Sequence, residues 1–72
     1  MDMRAGEKIR VLMKRKGISM GDMAEGTGQT RQNLSNKMKR DDFSESEIKK
    51  MAAVIGYTAD IVFRDIDGSI VL

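Results

Sequence analysis

Up to Tyr57 the apolar residues of this chain recur at helical spacing, and beyond it they come in β-branched runs. Ile9, Leu12 and Met13 stand at i, i+3 and i+4, which predicts an amphipathic helix over residues 7–16 with Gly17 as its stop. Ile18 follows as an apolar plug between helices. A short second helix is predicted over residues 20–26. Ser19 caps it, Asp22 three positions on comes close to completing a capping box, and Ala24 leaves room for a crossing helix. Gly26 lowers the propensity of this helix and predicts a loose last turn. Gly28 supplies a left-handed turn at little steric cost, and Thr30 caps a third helix over residues 30–39. In that helix Leu34 and Met38 point inward, while Arg31, Gln32, Asn33, Asn36 and Lys37 stay on the outer faces. Residues 39–42 read as a loop. Ser44 and Glu47 then form a capping box, with Phe43 placed as a hydrophobic staple against Ile48. The fourth helix, over residues 45–55, buries Ile48, Met51, Ala52 and Ile55, and Gly56 ends it.

Past Tyr57, Ile61, Val62 and Phe63 are separated from Ile70, Val71 and Leu72 by an Asp67-Gly68 pair, a strong short-range hairpin signal. With Asp67 and Gly68 central, Arg64 should face Val71 and Phe63 should face Leu72. An isolated two-stranded hairpin is marginal in water and has open edges, so something should cover it. Either Ile61, Phe63, Ile70 and Leu72 pack on the fourth helix and complete the core, or the hairpin pairs with a second copy. The expected fold is therefore mostly α, a four-helix domain over residues 1–57 followed by a C-terminal β-hairpin over residues 58–72.

Seventy-two residues make one domain, near the lower limit at which a hydrophobic core alone holds a fold. The chain has no Cys and no His, which removes thiolate nucleophiles, the usual zinc ligands, the usual general base near pH 7 and any serine triad. The acidic pairs have no convergent partners: Asp41-Asp42 precedes a helix start, and Asp67 beside Asp65 belongs to a turn. No catalytic residue, metal site or cofactor is expected, and the chain reads as a non-enzyme. The methionines read as flexible core filler. No apolar run approaches the roughly 20 residues of a membrane span, and MDMRAGEK lacks the apolar core of a signal peptide. These features predict a soluble, cytoplasmic protein without a membrane partner.

Charge is unevenly spread. Residues 4–40 carry ten Lys or Arg against three acids (Glu7, Asp22, Glu25), whereas residues 41–72 carry three bases against seven acids. Such polarity suits a protein that turns one basic side toward a polyanion, although basic runs also occur as ordinary solvated helix faces.

These residues resemble the lambda-repressor-like, Xre-type helix-turn-helix family of bacterial and phage regulators. The likeness is carried by Ile9 and Leu12, Gly17, Ser19, Met23-Ala24, Gly28, Thr30, Leu34-Ser35 and the run QNLSNKMKRDDFSESEI over residues 32–48, and it covers roughly residues 5–57. It implies that the third helix reads the major groove. The family's base-reading positions fall on Arg31, Gln32, Asn33 and Asn36, and Arg, Gln and Asn have the bidentate geometry that fits guanine and adenine edges. Contacts to the DNA backbone are expected from Ser19, Thr30, Lys37, Lys39 and Arg40. Three positions depart from the family. Met20 replaces the usual Gln that touches phosphate and braces the recognition helix. Gln29 stands where an aliphatic residue often follows the turn glycine. Met13 and Met38 occupy the places of an Arg and Glu pair that joins the first helix to the end of the third, so these two methionines should touch.

The favoured function is a sequence-specific regulator of double-stranded DNA, acting as a homodimer through the C-terminal hairpin. The alternative is a protein-interaction module on the same fold, such as an antitoxin or a phage accessory protein, and the missing Gln at position 20 speaks for it.

Overall fold

The computed structural model describes residues 3–72 and contains four helices, α1 (Ala5–Lys16), α2 (Met20–Gly26), α3 (Arg31–Arg40) and α4 (Glu45–Val54). α2 packs against α3 and α4, and α1 packs against the same two. Met23, Leu34 and Met51 form the fully buried centre of the core, joined by Ile9, Met13, Ala24, Met38 and Ile55. Four of these eight residues are methionine, whose unbranched, polarizable side chain fills the irregular gaps between short crossing helices. Met13 and Met38 belong to the one buried cluster, as an apolar substitute for an ion pair between α1 and α3 requires. Ile48, expected in the core, is half-buried and packs on its edge together with Phe43, Leu12 and Ile18.

All four helices end in the same way. An amide two residues past α1 and α3, and three past α2 and α4, returns to a carbonyl five positions back: Ile18 to Met13 at 2.9 Å, Asp42 to Lys37 at 3.2 Å, Gln29 to Ala24 at 3.0 Å and Tyr57 to Ala52 at 2.8 Å. The left-handed residue this closure needs is a glycine in three cases, but after α3 it is Asp41, at φ 52°. Asp41 offsets that unfavourable backbone with its side chain. Its Oδ1 accepts the Gly6 amide at 2.9 Å, capping the start of α1, where Arg4 makes no side-chain cap. A carboxylate there also complements the positive end of the helix dipole. The approach depends on Gly6, since a Cβ at that position would sit 3.1 Å from Asp41 Oδ1 and 3.5 Å from the Phe43 ring.

Several local expectations need correcting. α1 begins at Ala5 rather than at residue 7. Gly26 does not loosen α2, because the Thr27 amide closes on the Met23 carbonyl at 3.0 Å. Its missing side chain serves α4, for a Cβ would lie 2.8 Å from Val54 Cγ2. Lys39 and Arg40 are the last turn of α3, not a loop, where their charge favours the carbonyl end of the helix. Ser44 accepts the Glu47 amide at 3.2 Å, but Glu47 completes no box. Its carboxylate turns instead to Lys37 Nζ at 3.1 Å, a charge-assisted partner at a half-buried site, which outcompetes a backbone amide of exposed Ser44.

The largest correction concerns residues 58–72. Among the described residues no β-strand forms, and in place of the expected hairpin there is one isolated antiparallel bridge, Arg64 with Ile70. The Gly68 amide donates to the Asp65 carbonyl at 2.9 Å and the Asp65 amide to the Ser69 carbonyl at 2.7 Å. The turn therefore takes three residues (Ile66, Asp67 and Gly68) instead of two, and beside it the register slips by one, so that Arg64 meets Ile70 rather than Val71, whereas Phe63 does face Leu72, its amide donating to the Leu72 carbonyl at 2.8 Å. Two short arms with neither a third strand nor a helix against them do not grow a ladder. Ile61, Phe63, Ile70 and Leu72 are exposed, between 53% and 82%. The segment thus does not complete the core, which overturns the reading in which these side chains pack on α4. The start of the segment stays beside the body: Tyr57 and Ala59 are half-buried, Lys16 Nζ lies 5.0 Å from the centre of the Tyr57 ring, and residues 58–61 line a cleft with Leu12 of α1 and Ile48 of α4.

Candidate nucleic-acid interface

The α2-turn-α3 unit is built from local capping chemistry. At the start of α2, Ser19 Oγ accepts the Asp22 amide and Asp22 Oδ2 accepts the Ser19 amide, both at 3.1 Å, a full capping box. The Ser19 amide first, and then its hydroxyl, hold the Asp22 carboxyl below the ordinary aspartate value, so it is ionised at neutral pH. Ser19 consequently has its amide and its hydroxyl turned to Asp22 and a negative charge beside it, an arrangement that disfavours a phosphate. Thr30 caps α3 by accepting the Asn33 amide at 3.0 Å. Its hydroxyl hydrogen stays free, next to first-turn amides that a helix cannot satisfy internally.

α3 sorts the expected base readers onto different faces. Leu34 and Met38 are buried, and Gln32 and Asn36, one helical turn apart, lie exposed on the opposite side with Lys39 and Arg40 beyond them. Arg31 lies on the α1 side, lining a cleft with Arg10, Lys14 and Met20. Asn33 lies on the α4 side, where its Nδ2 donates to Gln29 Oε1 at 3.3 Å. Three of the four readers are thus exposed without a side-chain partner among the described residues, and the fourth is already hydrogen-bonded.

Among the described residues, Arg31, Lys39 and Arg40 enter no ion pair, whereas Lys37 is held by Glu47 and is only 24% exposed. Lys37, expected at a phosphate, is therefore engaged inside the protein. The other Glu47 oxygen, Oε2, is buried without a partner. Residues not singled out from the sequence join the face instead: Arg10 and Lys14, one turn apart on α1, share the cleft of Arg31, and Arg10 also lines a cleft with Arg4 and Lys39. Their i, i+4 spacing on the polar side of α1 was the available signal, but nothing in it said which helix they would lie beside. Met20 packs on the core and gives this face no hydrogen-bonding group.

A short helix, a glycine turn and a second helix with a polar outer crest, flanked by unpaired cations, form a geometry suited to the major groove. No helix among the described residues is long and apolar enough to cross a membrane. No curated protein and no solved structure matches the chain. Residues 8–60, spanning all of α2, α3 and α4 and most of α1, match the family described as the Cro/C1-type HTH DNA-binding domain, and the chain belongs to that family.

Proposed function

We propose that this protein is a sequence-specific transcriptional regulator of bacterial or phage type that lays α3 in the major groove of double-stranded DNA. The observation that carries this reading is the exposed polar crest of α3, capped by Thr30 and bordered by Arg31, Lys39 and Arg40 without internal ion pairs. Arg31, Gln32, Asn33 and Asn36 read base edges. Thr30, Lys39 and Arg40 hold phosphates and so set position without choosing sequence. Ser19 reaches a phosphate only by turning its hydroxyl away from Asp22, and Lys37 only by leaving Glu47.

One small domain reads few base pairs, so a two-fold dimer, with recognition helices about 34 Å apart, suits the function. The exposed apolar side chains of residues 61–72 are the surface on which a second copy would sit. The same patch also favours the other reading, an interaction module whose partner is a different protein.

Selection of bound sites from random duplex, followed by mobility shifts at two salt concentrations, separates the two. The regulator reading expects a selected site, affinity falling steeply with salt, and a Lys39→Ala, Arg40→Ala double variant with the salt slope reduced by about two units. Arg31→Ala should relax preference at one base pair without unfolding the domain. Failure to enrich any site, with weak binding to all duplexes, would favour the protein partner.

A further inference from the structure

Gln29 stands just after the turn glycine, and a chain of directed hydrogen bonds passes through it from α2 to α3. The Thr27 hydroxyl donates to the Met23 carbonyl at 2.8 Å, with the Ala24 carbonyl 3.3 Å away. Gln29 Nε2 donates to Thr27 Oγ1 at 2.8 Å, and Asn33 Nδ2 donates to Gln29 Oε1 at 3.3 Å. The direction of this chain follows from its origin. A carbonyl only accepts, so the single Thr27 hydrogen is spent on α2 and the Thr27 oxygen is left to accept. Gln29 must then present its nitrogen to Thr27 and its carbonyl to Asn33, and Asn33 must answer with its own nitrogen. The backbone of α2 thereby decides which way an exposed amide on α3 points.

We propose that Gln29 is a positioning residue that fixes the polarity of the Asn33 amide and makes Asn33 a reader of adenine at one base pair. It takes over the bracing of the recognition helix that Met20, packed on the core, cannot provide. With one N–H committed to Gln29, Asn33 keeps its second N–H and its Oδ1, the donor and acceptor that match adenine N7 and N6 in the major groove. An unbraced asparagine exchanges the two ends by rotating about its last torsion and loses more conformational freedom on binding. The inference rests on the DNA-reading function proposed above and adds to it a specificity device outside the recognition helix.

The test is the affinity of the full chain for its selected site and for every single-base-pair variant of that site, with melting curves for each protein variant. Asn33→Ala is expected to flatten discrimination at one base pair by roughly 5- to 100-fold. Gln29→Leu should flatten the same base pair by on the order of tenfold while leaving the other positions and the salt slope as they were. Thr27→Val, which removes the hydroxyl at nearly constant volume, should reproduce part of that loss, and the double variant of Gln29 and Asn33 should lose no more than Asn33→Ala alone. The proposal is overturned if Gln29→Leu and Thr27→Val keep the preference at that base pair, or weaken all positions equally as a purely structural role would. It is likewise overturned if Asn33→Ala changes no base pair. A wild-type chain without any site preference would overturn the DNA-reading function too, whereas preference lost in Asn33→Ala but kept in Gln29→Leu removes the role of Gln29 alone.

Discussion

The helical body and the C-terminal segment are both rich in large apolar side chains, yet only the body buries them. Leu34 and Met23 in the body are fully enclosed, whereas Phe63, Ile70 and Leu72 are between 63% and 82% exposed. The difference lies in what each element meets. In the body, apolar residues at helical spacing make one stripe per helix, and four stripes close on one another. In the C-terminal segment a three-residue turn brings two short arms together, but among the described residues no further strand pairs with them and their side chains stay exposed. Apolar content therefore forms a core only where the chain supplies a second surface, and where it does not, the same residues become a surface for something else.

Core deletions should separate the two regions most sharply. Leu34→Ala should cost about 2–5 kcal/mol, enough to unfold much of a domain this small, while Phe63→Ala should change the stability of the monomer by less than about 0.5 kcal/mol. Urea melts at dilute protein read both. A large loss in Phe63→Ala would mean that the segment packs on the body after all.

The next effect is confined to binding. Phe63→Ser with Leu72→Ser should leave the monomer's melt unchanged but lower affinity for a two-fold DNA site by roughly a hundredfold, since paired domains bind with the gain of a linked second contact. Sedimentation showing the unaltered chain to be monomeric at micromolar concentration, free and on DNA, would contradict this.

A smaller loss is expected where the body ties its own ends. Asp41→Ala should cost about 1–2 kcal/mol through the lost cap on Gly6, and Asp41→Asn should recover most of it because the amide oxygen still accepts. Hydrogen exchange at the Gly6 amide should accelerate in the first variant and not in the second.

The smallest effect sets an aspartate of each region against the other. Asp22 is held below its ordinary value by the Ser19 amide and then its hydroxyl, and Asp67 by the Ser69 hydroxyl and then its amide. A lowered carboxyl contributes stability that is fully present above the unfolded value, about pH 3.9, and is lost as pH falls through the lower folded value. Acidification through that window should reduce the melting temperature of the body slightly, by an amount Asp22→Ala abolishes. The same titration at Asp67 should shift only the Ser69 amide resonance and leave the body's melt untouched.

Local chemistry made most of the body legible in advance. Ser19, Thr30 and Ser44 cap the helices they precede, because a side-chain oxygen three residues before a free amide needs no distant partner. The spacing of Leu34 and Met38 likewise determined which side of α3 turns outward, and with it the candidate readers Gln32 and Asn36. What only the tertiary structure decided were the contacts whose partners lie far apart in sequence or compete at close range. Asp41 caps a helix 35 residues away, Gly26 exists for Val54, and Glu47 abandons Ser44 for Lys37. Arg10 and Lys14 join the face of Arg31 because α1 packs on α3. The Asp67-Gly68 pair announced a turn, but a turn does not say whether its arms find a surface; beside it the register slipped by one at Arg64 and Ile70, Phe63 still met Leu72, and the apolar side chains of both arms stayed largely in solvent. Periodicity and capping depend on neighbours within a helical turn, whereas burial and charge pairing depend on which elements the fold brings together.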